Sequence, residues 1–143
     1  PLPGSDPAAV ARLSDLVRAM GAKTDRMEPG HHDLVLAVTS HAPHLIAYTM
    51  VGVADHLSRV TDEEVIQYSA AGFRDFTRIA SSSPAMWHDI IRANAGPVRD
   101  LLQQQIAELQ HLLQLLQADD WAGLQVVFER ARRARERHLS EIE

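Results

Sequence analysis

The chain has 143 residues, enough for one domain with a core of its own. It carries 19 acidic side chains against 14 Lys and Arg, a net charge of -5, which excludes a general nucleic-acid binder. It has no cysteine, which excludes disulfides, thiolate metal sites and a cysteine nucleophile.

Asp6-Pro7 reads as a helix start, a capping carboxylate followed by proline at the first helical position. Val10, Leu13, Leu16, Val17 and Met20 then recur at helical spacing, and Gly21 stops the helix. Ala22 to Met27 alternates in part and predicts a short strand. Pro29 opens a long apolar-rich segment reaching to about Leu57. Its apolar residues surround the first turns, so the expectation is a central, buried helix. Pro43 lies inside it. A proline there removes one hydrogen bond and clashes with the carbonyl of Thr39, which predicts a kink at Ser40-His41.

Thr61 to Glu64 reads as a capping box, with a short helix to about Tyr68. The next helix carries Arg74, Asp75 and Arg78 on one side, with Phe76 and Ile79 turned inward. Ser83-Pro84 starts another helix, which ends near Asn94-Ala95-Gly96. From Pro97, Val98, Leu101, Leu102, Ile106, Leu109, Leu112, Leu113 and Leu116 step by three and four. Asp119 or Asp120 then caps a last helix. Two long leucine-bearing helices at the end of a small domain suggest an intersubunit bundle. The fold class is all-α, with a helix and strand in front that look like the tail of an α/β unit. Apolar runs are broken by His, Asp or Pro before the ~18 residues of a membrane span, and no basic-then-apolar leader opens the chain. The reading is a cytoplasmic protein with neither a membrane nor a nucleic acid as partner.

Few residues are equipped for chemistry. Arg78 beside Asp75 and Trp87 makes a receptor for a small carboxylate, since a guanidinium binds one through two parallel hydrogen bonds. The plain alternative is a solvated helix pair worth a few tenths of a kcal/mol. Ser40, His41 and His44 converge at the Pro43 kink; the alternative there is one surface histidine and one buried, hydrogen-bonded one. His31, His32, Asp33, His41 and His44 are possible metal ligands, yet proline breaks the His41/His44 spacing and no HExxH motif exists, so no metal is expected. Arg130, Arg132, Arg133, Arg135 and Arg137, diluted by Glu129, Glu136, Glu141 and Glu143, read as a solvated helix face. There is no glycine-rich phosphate loop and no nucleophile elbow.

Five stretches occur in one order: His32-Asp33, Ser40-His41-Ala42-Pro43-His44, Gly72 to Ala80, Ser83 to Ile90, and Asn94. In them the chain resembles the C-terminal helical domain of the prephenate dehydrogenase family, which includes arogenate and cyclohexadienyl dehydrogenases. The resemblance is detailed from about Asp6 to Ala95 and continues as plain helices. It implies part of an enzyme that oxidises a cyclohexadienyl ring alcohol with NAD or NADP and expels the ring carboxylate as carbon dioxide. The product is 4-hydroxyphenylpyruvate from prephenate, or tyrosine from arogenate. The family's glycine fingerprint and catalytic histidine belong to a nucleotide domain that the chain does not contain, so no catalytic residue is expected in it. Residues 1–28 correspond to the end of that domain and 29–143 to an all-α dimerisation and substrate domain.

By the same resemblance Arg78 pairs with a prephenate carboxylate, His44 and Trp87 lie near the substrate side chain, and Ser40 and His41 line the kink. Asp75 holds Arg78, and Asp33, next to His32, reaches the site across a homodimer. Ala71 stands before Gly72 where the family often has a second glycine, so a methyl group would narrow the pocket. Tyrosine as an inhibitor is a further expectation from the family. Two other readings remain: a stand-alone helical dimerisation or ligand-sensing module without catalysis, and a metal hydrolase built on His32-Asp33, a pair that resembles the HD phosphohydrolases.

Overall fold

The computed structural model describes residues 1–56, 64, 68 and 70–139. The capping box at Thr61, the helix leading to Tyr68, Leu57, and the charges at Glu141 and Glu143 therefore lie outside the described residues or depend on them. The described residues are helical, with no strand among them. They fall into two compact units, Pro1–Leu101 and Leu102–Glu143.

In the first unit, α1 (Pro7–Ala19) starts where Asp6 accepts a hydrogen bond from the Ala8 N–H at 3.0 Å. It stops before Gly21, whose φ of 87° lies in the left-handed region open to glycine. The expected strand at Ala22 to Met27 is absent. Its alternation is real, but a strand exists only through a hydrogen-bonded neighbour, and no described segment pairs with it.

One helical rod follows, Pro29–His56, in three parts. α2 (Pro29–Leu36) is capped by the Glu28 carboxylate on the His31 N–H at 3.1 Å. A π turn covers Ala37–His41, and α3 (Ala42–His56) completes the rod. The predicted disturbance before Pro43 thus takes the form of a π turn, in which the Ala42 N–H donates to the Ala37 carbonyl five residues back. Proline supplies no N–H for the Thr39 carbonyl, and the wider turn accommodates that loss.

This rod corrects two expectations. At 28 residues it is long and apolar enough, by length and composition, to cross a membrane. Nor is it a buried helix within the chain: only Ala37, His41, Ala42 and Ala47 are buried along it, while Leu34, Val38, Met50, Val51 and Val53 stand exposed. Small residues face the chain's own packing and large ones face outward, the pattern of a helix whose remaining sides another surface covers.

α4 (Ala71–Thr77) passes into a 3-10 turn, Arg78–Ser81, and both pack on α3. Phe76 is exposed rather than turned inward, because the half-buried face of α4 runs through Phe73 and Thr77, four apart. α5 (Pro84–Ala93) is capped by Ser83 and carries the buried Trp87. Asn94 ends α5, and its carbonyl accepts from the Val98 N–H, starting α6 (Ala95–Gln117).

In the second unit, Asp119 turns the chain with a φ of 52°, and Asp120 caps α7 (Trp121–Leu139) by accepting from the Gly123 N–H at 2.8 Å. Arg130 reaches Glu108 at 3.2 Å, and Arg132–Glu136 and Arg133–Glu129 pair along α7. All are exposed, so each contributes little, as expected of a solvated face. Ile106, Leu109, Leu113 and Leu116 form a stripe on α6 that is about half exposed.

Candidate functional site

Three predicted residues meet at the start of α3. The His44 ring stacks on the Trp87 indole, centroids 3.6 Å apart and planes 24° from parallel. His41 meets the same indole edge-on at 6.1 Å and 80°. The Ser40 carbonyl accepts a hydrogen bond from His44 Nδ1 at 2.9 Å. A carbonyl only accepts, so the His44 proton sits on Nδ1, and in the neutral ring Nε2 is left with its lone pair. Stack and hydrogen bond together hold this imidazole in one orientation.

His41 is held differently. It is 7% exposed, and the Asn94 amide nitrogen lies 3.0 Å from its Nδ1. The same amide nitrogen donates to the Asp33 backbone carbonyl at 2.7 Å. The π turn makes this shared contact geometrically natural. An α-helix advances about 100° per residue, so residues eight apart, as Asp33 and His41 are, stand about 80° apart around the axis. The π turn absorbs one residue, and the pair then stands as residues seven apart would, within about 20°. Burial pushes the His41 pKa below its ordinary value; Asp33 opposes that shift, while His32 and His44 add to it.

Two buried polar atoms here have no hydrogen-bond partner among the described residues, Trp87 Nε1 and Asn94 Oδ1. Buried groups of this kind are normally satisfied, so both are exceptions to the usual pairing.

Of the other predicted residues, Asp33 reaches this cluster through its backbone carbonyl. Arg78 opens the 3-10 turn that packs on α3; it is exposed and makes no ion pair among the described residues. The expected Asp75–Arg78 pair does not form among the described residues. Ala71 and Gly72 are exposed at the start of α4, and a methyl group on Gly72 would meet nothing within 4 Å. His32 Nδ1 lies 3.1 Å from the Asp33 carboxylate, both about half exposed. No group of three His, Cys, Asp or Glu side chains among the described residues could hold a metal ion.

An open apolar groove of about 520 Å³ runs along Leu45, Tyr48, Pro84, Trp87, Ile91 and Arg92. Of the predicted residues only Trp87 lines it, so it lies beside the histidine cluster rather than in it. Tyr48 was missed by sequence reasoning. Its hydroxyl donates to the Ser82 carbonyl at 2.8 Å and ties α3 to the segment after Arg78. Asn94 was noticed only as part of a matching stretch. Its partners lie 53 and 61 residues away, a separation that no local spacing announces.

Comparison with known proteins decides the family. The prephenate dehydrogenase dimerization domain matches residues 28–130. The chain belongs to that family. A cyclohexadienyl dehydrogenase from Zymomonas mobilis is 36% identical over 127 residues, 89% of this chain and 43% of that protein. A prephenate dehydrogenase from Bacillus subtilis is 36% identical over 128 residues, 90% of this chain and 34% of that protein. The chain thus spans less than half the length of these relatives. Among solved structures it resembles the prephenate dehydrogenase from A. aeolicus in complex with hydroxyphenyl propionate and NAD+. That likeness has a TM-score of 0.84 and 30% identity, and covers all of this chain and 48% of the other. The all-α architecture described above is that of the family's helical domain.

The glycine fingerprint of a dinucleotide-binding domain has no counterpart in these residues. There is no strand among the described residues, and the glycines, at positions 4, 21, 30, 52, 72, 96 and 123, never fall in a G-x-G-x-x-G pattern.

Proposed function

We propose that this chain is the dimerisation and substrate-binding part of a prephenate dehydrogenase. The reaction is the NAD- or NADP-dependent oxidative decarboxylation of prephenate to 4-hydroxyphenylpyruvate, in the cytoplasm. The dinucleotide is held mainly by residues beyond these 143, and the working unit is a homodimer.

The observation that carries the reading is the fixed His44–Trp87 stack on a helix against which the Arg78 turn packs. A flat indole and imidazole suit a six-membered ring, and Arg78, with its guanidinium unpaired among the described residues, suits a carboxylate. Prephenate carries both groups. His44 Nδ1–H is committed to the Ser40 carbonyl, so its Nε2 is the atom offered to substrate. Asp33 completes the pocket of a second copy. The exposed apolar faces of α2, α3 and α6 are the surfaces that a second copy covers. That covering also accounts for the length and apolarity of the 28-residue rod without a membrane.

The test is turnover. The 143-residue chain alone forms no NADH or NADPH from prephenate, whereas the enzyme carrying this domain together with a dinucleotide-binding domain does. Prephenate-dependent turnover by the 143-residue chain itself contradicts the assignment, as does a larger enzyme that ignores prephenate.

A further inference from the structure

The hydrogen bonds of Asn94 determine the protonation pattern of His41. The Asp33 backbone oxygen can only accept, so the group 2.7 Å from it must be the amide NH2 of Asn94, which settles which way that amide points. The same nitrogen lies 3.0 Å from His41 Nδ1 and has a second hydrogen to give. It has no lone pair to offer, so Nδ1 must be the acceptor and the His41 proton sits on Nε2. His44, three residues on, has the reverse pattern because its Nδ1 faces the Ser40 carbonyl. One indole therefore has against it an imidazole with an Nε2–H donor and an imidazole with an Nε2 lone pair.

We propose that Asn94 is a positioning residue for the substrate site: by holding Asp33 and His41 together across the π turn, it sets the orientation and tautomer of His41, so that this ring offers an N–H donor beside the acceptor offered by His44. Three features support the role. Asn94 is 6% exposed, so its bonds are shielded from competing water. It stands at the junction of α5 and α6, a point fixed by the backbone bonds from Asn94 N–H to the Ile90 carbonyl and from Val98 N–H to the Asn94 carbonyl. The charged or titratable groups that act on His41 are Asp33, His32 and His44. Burial outweighs the one that favours its charged form, so the ring stays neutral and has a tautomer to set. Paired donor and acceptor nitrogens would distinguish a ring hydroxyl, which both gives and accepts, from a group that only accepts. That last point rests on the substrate reading above; the tautomer does not.

The experiment is nitrogen-15 NMR of the histidine rings in the 143-residue chain at mildly alkaline pH. In the parent, His41 shows a bare Nδ1 and a protonated Nε2, and His44 shows the opposite, an internal standard in the same spectrum. Asn94→Ala leaves His41 as a mixture of tautomers while the His44 pattern is retained, which also reports that the variant has folded. Asn94→Asp, a near-isosteric acceptor, moves the His41 proton to Nδ1. A protonated Nδ1 on His41 in the parent, or an Asn94→Ala spectrum identical to the parent's, overturns the proposal, and the parent spectrum suffices if either variant fails to fold. In an enzyme that carries this domain, Asn94→Ala lowers kcat/KM for prephenate about ten- to a hundredfold and leaves the KM of the dinucleotide unchanged. A changed tautomer with unchanged prephenate kinetics overturns the substrate-site role of Asn94, whereas an enzyme that does not turn over prephenate at all counts against the substrate reading and leaves the tautomer assignment to the spectrum.

Discussion

At the scale of single residues, the His41, His44, Trp87 and Asn94 cluster is fixed by ring contacts and hydrogen bonds. The His41 pKa is lowered chiefly by burial. The unfolded chain binds that proton at about pH 6.5, whereas the folded chain binds it only at lower pH. The contribution of His41 to stability is therefore complete above about pH 6.5 and is lost as the pH falls through its folded value. Urea unfolding across this range checks the sign. The parent loses more stability than His41→Gln between about pH 7 and pH 5. Parallel curves would mean that burial does not shift this group. Sequence alone supplied the candidates here, because His41, His44 and Trp87 belong to recognisable stretches. Asn94 and Tyr48 acquire their roles only from partners far along the chain, and that information is not local.

At the scale of elements, Pro43 is the decisive residue. That it disturbs the helix was legible from its chemistry; that the disturbance is a π turn, with its one-residue change of phase, was not. The phase change brings the Asp33 carbonyl and His41 to the same amide. Pro43→Ala restores an N–H for the Thr39 carbonyl and permits ordinary α geometry. It lifts a helix penalty of about 3 kcal/mol. Against that stand the two Asn94 bonds, each worth about 1 kcal/mol. The expected outcome is a variant at least as stable as the parent in urea but with reduced kcat/KM for prephenate. A loss of more than about 1 kcal/mol of stability would contradict this account of the proline.

The same scale explains two misreadings. Alternation at Ala22 to Met27 is necessary for a half-buried strand but does not provide the neighbour a strand needs. Phe76 was placed inward for its apolar side chain, whereas the half-buried face of α4 runs through Phe73 and Thr77. Caps were read more reliably. Asp6, Ser83 and Asp120 each bond a nearby N–H of the helix they start, because a cap depends on residues only two or three apart.

At the scale of the whole molecule, helical periodicity identified which residues are apolar partners but not whether they belong to the same chain. The α6 stripe of Ile106, Leu109, Leu113 and Leu116 has the spacing of a core and the exposure of a surface. The resolution we propose is a second copy, in keeping with a family described as a dimerization domain. Sedimentation equilibrium should find the chain dimeric, and Leu109→Glu combined with Leu113→Glu should leave folded monomers, since buried charges without partners cost several kcal/mol each. A parent that sediments as a monomer at micromolar concentration would remove the basis for a shared pocket.

The central claim is that this domain holds the prephenate side of a dehydrogenase, with Arg78 as its carboxylate anchor. Steady-state kinetics of the enzyme carrying Arg78→Ala test it most directly. Removing the cationic partner of a bound carboxylate costs about 2–5 kcal/mol, so the KM for prephenate should rise by roughly thirtyfold or more while the KM for the dinucleotide stays at the parent value. A KM for prephenate equal to the parent's would contradict the claim.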